Sequence, residues 1–214
     1  MTGNWRIAFV SSASRLLTGV LRRLGAVLLL VALSPLLGAL ALSVWGALGR
    51  PVLFRQWRAG YRGRPFRLCK FRSMRAAAYD GEPDGPRLTR WGRFLRRSSL
   101  DELPGLWNVA CGEMNFIGPR PLPLDYLPRY TPEEGRRHLV PPGMTGWAQV
   151  HGRNALAWDD RLRLDCWYVD HASWRVDARI LWRTLRVVCS GQGVATPGHE
   201  TGRELRPPQD GQPS

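Results

Sequence analysis

Residues 24–48 form a stretch of 25 residues that contains no charged side chain. As one straight α-helix this stretch would be about 37 Å long, which exceeds the ~30 Å of hydrocarbon in a bilayer. A cleavable signal peptide fits less well, because the stretch is long and no clear small-residue cleavage site follows it. We therefore expect a helix that is embedded in a membrane.

Ser34 and Pro35 lie near the centre of this stretch and leave segments of 10 and 13 apolar residues on either side. Proline removes a backbone donor and disfavours helical geometry at the preceding residue, and the serine hydroxyl can bond to a carbonyl freed at the break. Arginines flank the stretch on both sides, and the positive-inside tendency favours cytoplasmic flanks. A re-entrant helix broken at Ser34-Pro35 meets this tendency. A proline-kinked span does not, but it is commoner among membrane proteins, so both stay open.

The chain carries 31 Lys and Arg against 17 Asp and Glu, a formal charge of +14, and no acidic residue precedes Asp80. Such a field attracts the phosphate groups of nucleic acids, anionic lipids and nucleotides alike. A basic nucleic-acid-binding protein would need a soluble chain and a recognisable binding motif. The hydrophobic stretch argues against the first, and we find no instance of the second. We therefore expect no nucleic-acid partner.

The cysteines and histidines argue against a zinc site and a disulfide framework. They form no C-x-x-C pair and no H-x-x-x-H spacing. Any metal ion bound here should therefore be a hard ion with oxygen ligands.

The remaining sequence predicts a mixture of short strands and helices. Residues 51–74 combine β-like runs with glycines, which predicts an extended or hairpin-like segment. Residues 88–100 carry arginines at helical spacing, and residues 131–134 have the pattern of a helix start, with threonine as N-cap and glutamate at the third position. Arginines also recur on one face of residues 175–186, which fits a helix on a membrane surface or an ordinary helix on a core.

Two adjacent carboxylates, Asp101 and Glu102, follow a dense run of arginines. Ser99 stands three residues before Glu102, which is the spacing of a capping box. Taken alone, this spacing favours a helix N-terminus over a catalytic pair.

The surrounding motifs point to chemistry. The sequence resembles the bacterial sugar transferase family, the monotopic polyprenyl-phosphate phosphoglycosyl transferases, in a series of strings that occur in the family's order between about residues 24 and 201. These strings are PVLFRQ (51–56), KFRSM (70–74), LTRWGRFLR (88–96), SLDELP (99–104), GPRP (118–121), PGMTGWAQ (142–149) and GRN (152–154).

The resemblance implies a two-step transfer of a sugar-1-phosphate. Asp101 matches the family nucleophile, which attacks the sugar-bearing phosphate of a UDP-sugar, expels UMP and forms a covalent phospho-sugar intermediate. Polyprenyl phosphate, expected to be undecaprenyl phosphate, then accepts the phospho-sugar. Glu102 matches a residue that assists, and we expect it to help hold Mg²⁺, which neutralises charge on the transferring phosphate.

Further site residues follow from the same motif matches. Because an anionic carboxylate must approach an anionic phosphate, cations are needed nearby, and guanidinium groups suit phosphate oxygens. The expected substrate-binding residues are Lys70, Arg96, Arg120, Arg153 and Asp165. For each arginine the alternative is a solvated surface side chain.

The expected fold is α+β: a small, mainly helical cytoplasmic domain with an N-terminal re-entrant membrane helix hairpin and interfacial amphipathic helices. We divide the chain into a basic segment (1–23), the membrane helix (24–48), the catalytic domain (49–189) and a flexible tail (190–214). The resemblance places it at the bacterial inner membrane, facing the cytoplasm, at the first membrane step of glycoconjugate assembly. A non-catalytic membrane scaffold of a glycan assembly complex is a second alternative. The sequence does not identify the sugar.

Overall fold

The computed structural model describes residues 12–79, 82–152, 156–190 and 205. Helices α1 (Ser12–Ala32) and α2 (Ser34–Leu48) meet at Leu33 and are bent by 63° relative to each other. The hydroxyl of Ser34 donates to the carbonyl of Val31 at 2.8 Å, and Pro35 lies in the first turn of α2, where its missing N–H costs little. Within the described ranges no single helix is long and apolar enough to cross a bilayer, whereas the bent pair has the required length and composition.

Only one side of this helix pair packs against the rest of the protein. Ala26 of α1 is buried with Val109 and Met114, and Leu40 and Val44 of α2 are buried in a second cluster with Phe71 and Leu95. Other leucine and valine side chains of both helices are exposed, and Leu28, Val31 and Leu42 are 69%, 67% and 64% exposed. A contiguous apolar surface of this kind is typical of a region that contacts lipid or another protein.

The segment predicted to be hairpin-like is a hairpin. Strands β1 (Leu53–Ala59) and β2 (Pro65–Phe71) are antiparallel and are joined by a 3₁₀ turn, Tyr61–Gly63. Phe54 faces Lys70 across the ladder, and Arg58 faces Phe66. Because side chains alternate between the two faces of a strand, Phe54, Arg58 and Lys70 share one face.

Two helices lead from the hairpin to the Asp-Glu pair. They are α3 (Asp84–Arg87) and α4 (Arg90–Arg97), and α4 lies inside the helix that the arginine spacing predicts. The hydroxyl of Thr89 caps α4 by accepting a hydrogen bond from the N–H of Gly92 at 3.0 Å. Gly92 lies so close to the chain after β2 that a Cβ would be 1.8 Å from the carbonyl oxygen of Ser73. This close approach holds α4 against the segment that directly follows the strand carrying Lys70.

A short parallel strand pair forms the opposite side of the domain. After a 3₁₀ turn (Leu100–Gly105) and helix α5 (Leu106–Cys111), β3 (Asn115–Ile117) pairs with β4 (Gly143–Thr145). The connection between them contains two 3₁₀ turns, Leu124–Arg129 and Arg136–Leu139, and helix α6 (Pro132–Gly135).

The start of α6 confirms the helix start predicted at residues 131–134. The hydroxyl of Thr131 accepts a hydrogen bond from the N–H of Glu134, and the carboxylate of Glu134 accepts one from the N–H of Thr131 at 2.8 Å. This reciprocal pair is a capping box.

Three helices complete the described fold: α7 (Trp147–Val150), α8 (Trp158–His171) and α9 (Trp174–Ser190). On α9, Ile180 is buried with Trp147 and Tyr168, whereas Trp182 is 58% exposed. The basic helix predicted near the end therefore packs on a core along one side and exposes apolar side chains elsewhere. The architecture is mixed helix and sheet and mostly helical, as expected for the α+β class.

Candidate active site

A cavity of about 940 Å³ lies between the β1–β2 hairpin, the 3₁₀ turn that carries Asp101, the segment after β3, and helices α8 and α9. Six of the seven site residues expected from the sequence line this cavity. They are Lys70, Arg96, Asp101, Glu102, Arg120 and Asp165. The fold thus brings into one place residues that are up to 95 positions apart, from Lys70 to Asp165. Arg153 lies outside the described residues.

The backbone before the Asp-Glu pair has an unusual conformation. Ser99 adopts a left-handed conformation with φ 57°, and its side chain makes no capping hydrogen bond. The spacing of Ser99 and Glu102 therefore does not form a capping box here, unlike that of Thr131 and Glu134. A left-handed backbone at a residue other than glycine costs of order 1 kcal/mol or more and is frequent at functional sites. It turns the chain sharply between α4 and the turn that carries Asp101.

The turn is fixed to the strand behind it through Asn108 on α5. The side-chain amide of Asn108 donates to the carbonyl of Arg67 at 2.8 Å, and its oxygen accepts from the N–H of Cys69 at 3.0 Å. Asn108 is 1% exposed, and its amide also donates to Glu113 at 2.6 Å. Asn108 therefore ties helix α5, which directly follows the turn of the Asp-Glu pair, to strand β2.

Two cations hold Glu102. The ammonium of Lys70 donates to Oε1 of Glu102 at 2.7 Å, and Arg120 donates to the same oxygen at 2.6 Å. Burial raises the pKa of Glu102, but Arg120 and Lys70 more than offset this effect and hold the pKa well below its usual range. Glu102 is therefore ionised near neutral pH.

Asp101 differs sharply from its neighbour. It is 6% exposed, and its carboxylate has neither an ion pair nor a hydrogen bond to any described residue. Burial, together with the charge of Glu102, raises the pKa of Asp101 to about 6, although Lys70, Arg96 and Arg120 act in the opposite direction. Near pH 7 the site therefore holds a carboxylate that is mostly ionised, poorly solvated and not bonded to any part of the chain that the structure describes.

Arg96 approaches Asp101 from α4. Its Nε donates to the hydroxyl of Ser73 at 2.9 Å, in the segment against which Gly92 packs. Its positive charge favours ionisation of Asp101. The close approach of α4 to Ser73 is thus what places this guanidinium at the cavity.

Arg120 is positioned through its backbone. Arg137 donates from Nη2 to the carbonyl of Arg120 at 2.7 Å, and its Nε and Nη2 donate to the carboxylate of Asp165 at 3.1 and 2.6 Å. Burial would lower the pKa of Arg137, but Asp165 more than offsets this and raises it. Asp165, expected to bind substrate, lies at the cavity wall with its carboxylate engaged by Arg137.

The sequence does not predict two further arginines at the site. Arg137 lies in the 3₁₀ turn after α6. Nothing in the sequence around it distinguishes it from the other arginines, because its partner Asp165 is distant along the chain. Arg58 lies on β1, on the same face of the hairpin as Lys70 of β2, and also lines the cavity. The two-residue periodicity of the hairpin, taken with its register, would have placed Arg58 beside the site.

The carboxylates of Asp101 and Glu102 are the oxygen donors that a hard cation could use. Within the described ranges no cluster of three or more His, Cys, Asp or Glu side chains has the geometry of a protein-only metal site. Magnesium is usually held by one or two carboxylates together with substrate phosphates and water, so two adjacent carboxylates at a cavity fit it. On Glu102, Oε2 has only a long contact of 3.5 Å to Arg120 and is the less occupied oxygen.

The chain matches a known protein family over most of its length. Residues 13–191 match the family model described as bacterial sugar transferase. The chain is 48% identical to the uncharacterized sugar transferase EpsL of Bacillus subtilis over 157 residues, which cover 72% of this chain and 78% of EpsL.

Two longer relatives have more specific names. The chain is 38% identical to the UDP-glucose:undecaprenyl-phosphate glucose-1-phosphate transferase of Escherichia coli, over 82% of this chain and 41% of that protein. It is also 38% identical to the UDP-N-acetylgalactosamine-undecaprenyl-phosphate N-acetylgalactosaminephosphotransferase of Aeromonas hydrophila, over 80% of this chain and 43% of that protein. The chain thus spans about two fifths of the length of these two relatives.

The family match covers most of the chain, and the enzyme class expected from the sequence motifs is confirmed. The chain belongs to the bacterial sugar transferase family.

Proposed function

We propose that this protein transfers a sugar-1-phosphate from a UDP-sugar to polyprenyl phosphate, with undecaprenyl phosphate as the carrier, and releases UMP. Two relatives whose names state this type of reaction, with glucose and N-acetylgalactosamine as the sugars, support the donor and acceptor classes. The product, a polyprenyl-diphosphate sugar, would begin the membrane stage of glycoconjugate assembly.

The observation on which the proposal depends is the state of Asp101. A buried carboxylate with no bonded partner is costly to the fold, because the charged form has lost its water without gaining a hydrogen bond. Asp101 lies at a large cavity, with Lys70, Arg96 and Arg120 nearby, and this position fits a nucleophile that attacks a phosphate bound in the cavity. Poor solvation also favours nucleophilic attack, since less water must be displaced.

The first half-reaction forms a bond between an oxygen of Asp101 and the sugar-bearing phosphorus of the UDP-sugar. The bond from that phosphorus to the bridging oxygen breaks, and the electron pair leaves with UMP. The acyl phosphate that results retains the sugar. Lys70, Arg96 and Arg120 offset the charge that would otherwise keep two anions apart.

The second half-reaction breaks the covalent bond between Asp101 and the phospho-sugar. A phosphate oxygen of the polyprenyl phosphate attacks the same phosphorus, and the bond to Asp101 breaks, which restores the carboxylate. Dividing one displacement into two allows the donor nucleotide to leave before the lipid phosphate reacts. Mg²⁺, when bound by Glu102 with Asp101 nearby, would neutralise charge on the transferring phosphoryl group.

The helix pair α1–α2 would attach the protein to the bacterial inner membrane as a re-entrant hairpin. The 63° bend, the exposed apolar side chains and the arginines on both flanks support this placement, with the cavity on the cytoplasmic face. Labelling of an Asn4→Cys variant in sealed cells and vesicles tests it. Reaction from the periplasmic side alone would contradict the hairpin.

The decisive experiment measures UMP release by the purified full chain in detergent, with polyprenyl phosphate, Mg²⁺ and a panel of UDP-sugars. We expect release with one sugar or a few, and none by Asp101→Asn. Intact-mass spectrometry of protein incubated with the donor alone should detect the added mass of a sugar phosphate. A scaffold would release no UMP with any sugar, and an active Asp101→Asn protein would contradict the assigned nucleophile.

A further inference from the structure

Arg58 lies on the cavity-facing side of β1 and is not explained by the roles assigned above. It faces Phe66 across the hairpin, while Lys70 faces Phe54 four positions away. At about 3.4 Å per residue, the two cations enter the cavity at points roughly 13 Å apart along the strands. Arg58 therefore approaches the Asp-Glu pair from the end of the hairpin opposite to Lys70.

The guanidinium of Arg58 has no carboxylate partner among the residues that the structure describes. Its Nη1 donates to the carbonyl of Pro121 at a long 3.5 Å, its Nη2 donates to the side chain of Gln56, and its Nε is buried with no acceptor. Burial and the nearby charge of Arg120 lower the pKa of Arg58 to about 10. A partly buried guanidinium next to a second one, with an unused donor, is a site that favours an anion.

The neighbours of Arg58 indicate which anion. Lys70, Arg96 and Arg120 all act on the ionisation of Asp101, and Arg58 is not among the main charges that do so. The charges that act on Arg58 are instead those of Arg120 and Glu102, together with the phenols of Tyr126 and Tyr130. Arg58 donates to the carbonyl of Pro121, which directly follows Arg120, and Arg120 in turn donates to Glu102. Arg58 is therefore joined to the site through the segment of Arg120, and among the described residues its side chain has no hydrogen bond or ion pair to Asp101.

We infer that Arg58 binds the phosphate of the departing UMP, and that Arg120 contacts both phosphates of the donor. This inference rests on the proposed function. The phosphate next to Asp101 is the one attacked, so the second phosphate must lie farther from the nucleophile, on the side where the unused donor of Arg58 is found. The aromatic pair of Tyr126 and Trp158, with ring centroids 5.6 Å apart, lines the same cavity.

UMP binding to the full chain in detergent, measured by calorimetry, tests the inference. We expect Arg58→Gln to weaken UMP binding by about ten- to a hundredfold, the range for losing hydrogen bonds to a charged group. The matched control is Arg55→Gln, which removes an exposed arginine from the same strand and should change UMP affinity by less than about twofold. Thermal unfolding of Arg58→Gln should not shift downward, because the side chain removed has no ion pair in the described structure.

Three outcomes would be informative. Equal UMP affinity in Arg58→Gln and Arg55→Gln would overturn the inference. Should Arg58→Gln fail to fold, Arg58→Lys keeps the charge and loses the planar fork, and an unchanged UMP affinity in that variant would also overturn it. A wild-type protein that binds no UMP would instead contradict the nucleotide donor in the proposed function.

Discussion

Two groups of charged side chains meet at Arg120, and they differ in almost every physical respect. The guanidinium of Arg120 belongs to one group, and its carbonyl accepts a hydrogen bond from the other. One is the cavity cluster, formed by Lys70, Asp101, Glu102 and Arg120. The other is the buried pair of Arg137 and Asp165. Both contain ion pairs of 2.6–2.7 Å, yet the side chains of the buried pair are 1% and 2% exposed, whereas those of Lys70, Glu102 and Arg120 are 18%, 25% and 39% exposed.

The buried pair satisfies its own bonding. One cation meets one anion, and a donor of Arg137 also holds the carbonyl of Arg120. The cavity cluster does not: Asp101 has no bonded partner among the described residues, and Oε2 of Glu102 has only a long contact. The contrast indicates that the buried pair has a structural role and positions Arg120, whereas the cavity cluster retains oxygen atoms that a ligand could use. Loss of activity and loss of stability should therefore separate between the two groups.

Asp101→Asn gives the largest expected effect and the clearest separation. Removing a nucleophile should lower the rate of UMP release by on the order of 10⁴-fold or more. The free energy of unfolding should stay the same or rise, by up to about 3 kcal/mol at pH 7, because the buried charge that the fold disfavours is gone.

UMP release and thermal unfolding in detergent measure the two quantities. Asp125→Asn, at an exposed position in the 3₁₀ turn Leu124–Arg129, is the matched control and should change neither. A fall in both activity and stability on changing Asp101 would remove the distinction between the two groups.

Asp165→Asn should have the opposite profile. It leaves the guanidinium of Arg137 buried without its charge partner, which typically costs about 3–5 kcal/mol of stability and should lower the unfolding temperature by roughly 10 °C. Arg137→Met combined with Asp165→Leu should recover much of that loss, since both charges are then absent.

Asp160→Asn, which breaks an exposed pair with Arg163, is the control and should cost less than about 1 kcal/mol. An Asp165→Asn protein with normal stability but weakened UDP-sugar binding would favour the role expected from the sequence, direct contact with substrate.

Lys70→Gln should have an intermediate effect on catalysis. Without the ammonium at 2.7 Å, Glu102 keeps only Arg120, and Asp101 loses one of the cations that favour its ionised form. We expect UMP release to fall by about ten- to a hundredfold, with partial recovery in Lys70→Arg. Arg67→Gln, on the opposite face of the same strand, should retain activity within about twofold. Equal losses in Lys70→Gln and Arg67→Gln would mean that strand stability, and not the site, was changed.

The two groups also differ in how far the sequence predicts them. Asp101, Glu102, Lys70 and Arg120 lie in short motifs that resemble those of a known family, so their grouping at one site is expected from the sequence. Local residue patterns also predict an extended or hairpin-like segment at residues 51–74 and a helix start at Thr131, and the structure has a hairpin and a capped helix there.

Other features could not be predicted, because they depend on contacts between distant segments. Ser99 has the spacing of a cap but adopts a left-handed conformation, which the packing of α4 and the following turn determines. Arg137 meets Asp165 across 28 positions, and Arg58 approaches Pro121 across 63. In a chain with so many arginines, composition cannot tell which guanidinium is buried against a carboxylate and which faces a cavity without one.

The pH dependence of the first half-reaction is the smallest effect and tests the state of Asp101 directly. Its pKa is raised to about 6, so the reactive ionised form should predominate above pH 6, and the rate should fall about tenfold for each pH unit below it. Glu102 has a depressed pKa and stays ionised over the same range, so it should contribute nothing.

The rate should be measured as single-turnover UMP release without the lipid acceptor, because a phosphate monoester also titrates near pH 6. The free energy of unfolding should change with pH in the opposite direction to the rate. The folded protein holds the proton of Asp101 more tightly than the unfolded chain, so this residue lowers the free energy of unfolding as the pH rises from about 4 to 6. Above pH 6 its contribution should not change further. In Asp101→Asn this component should be absent. A single-turnover rate that is constant between pH 5 and 7.5 would mean that Asp101 is solvated or paired in the working enzyme, and the contrast with the buried pair would then lose its physical basis.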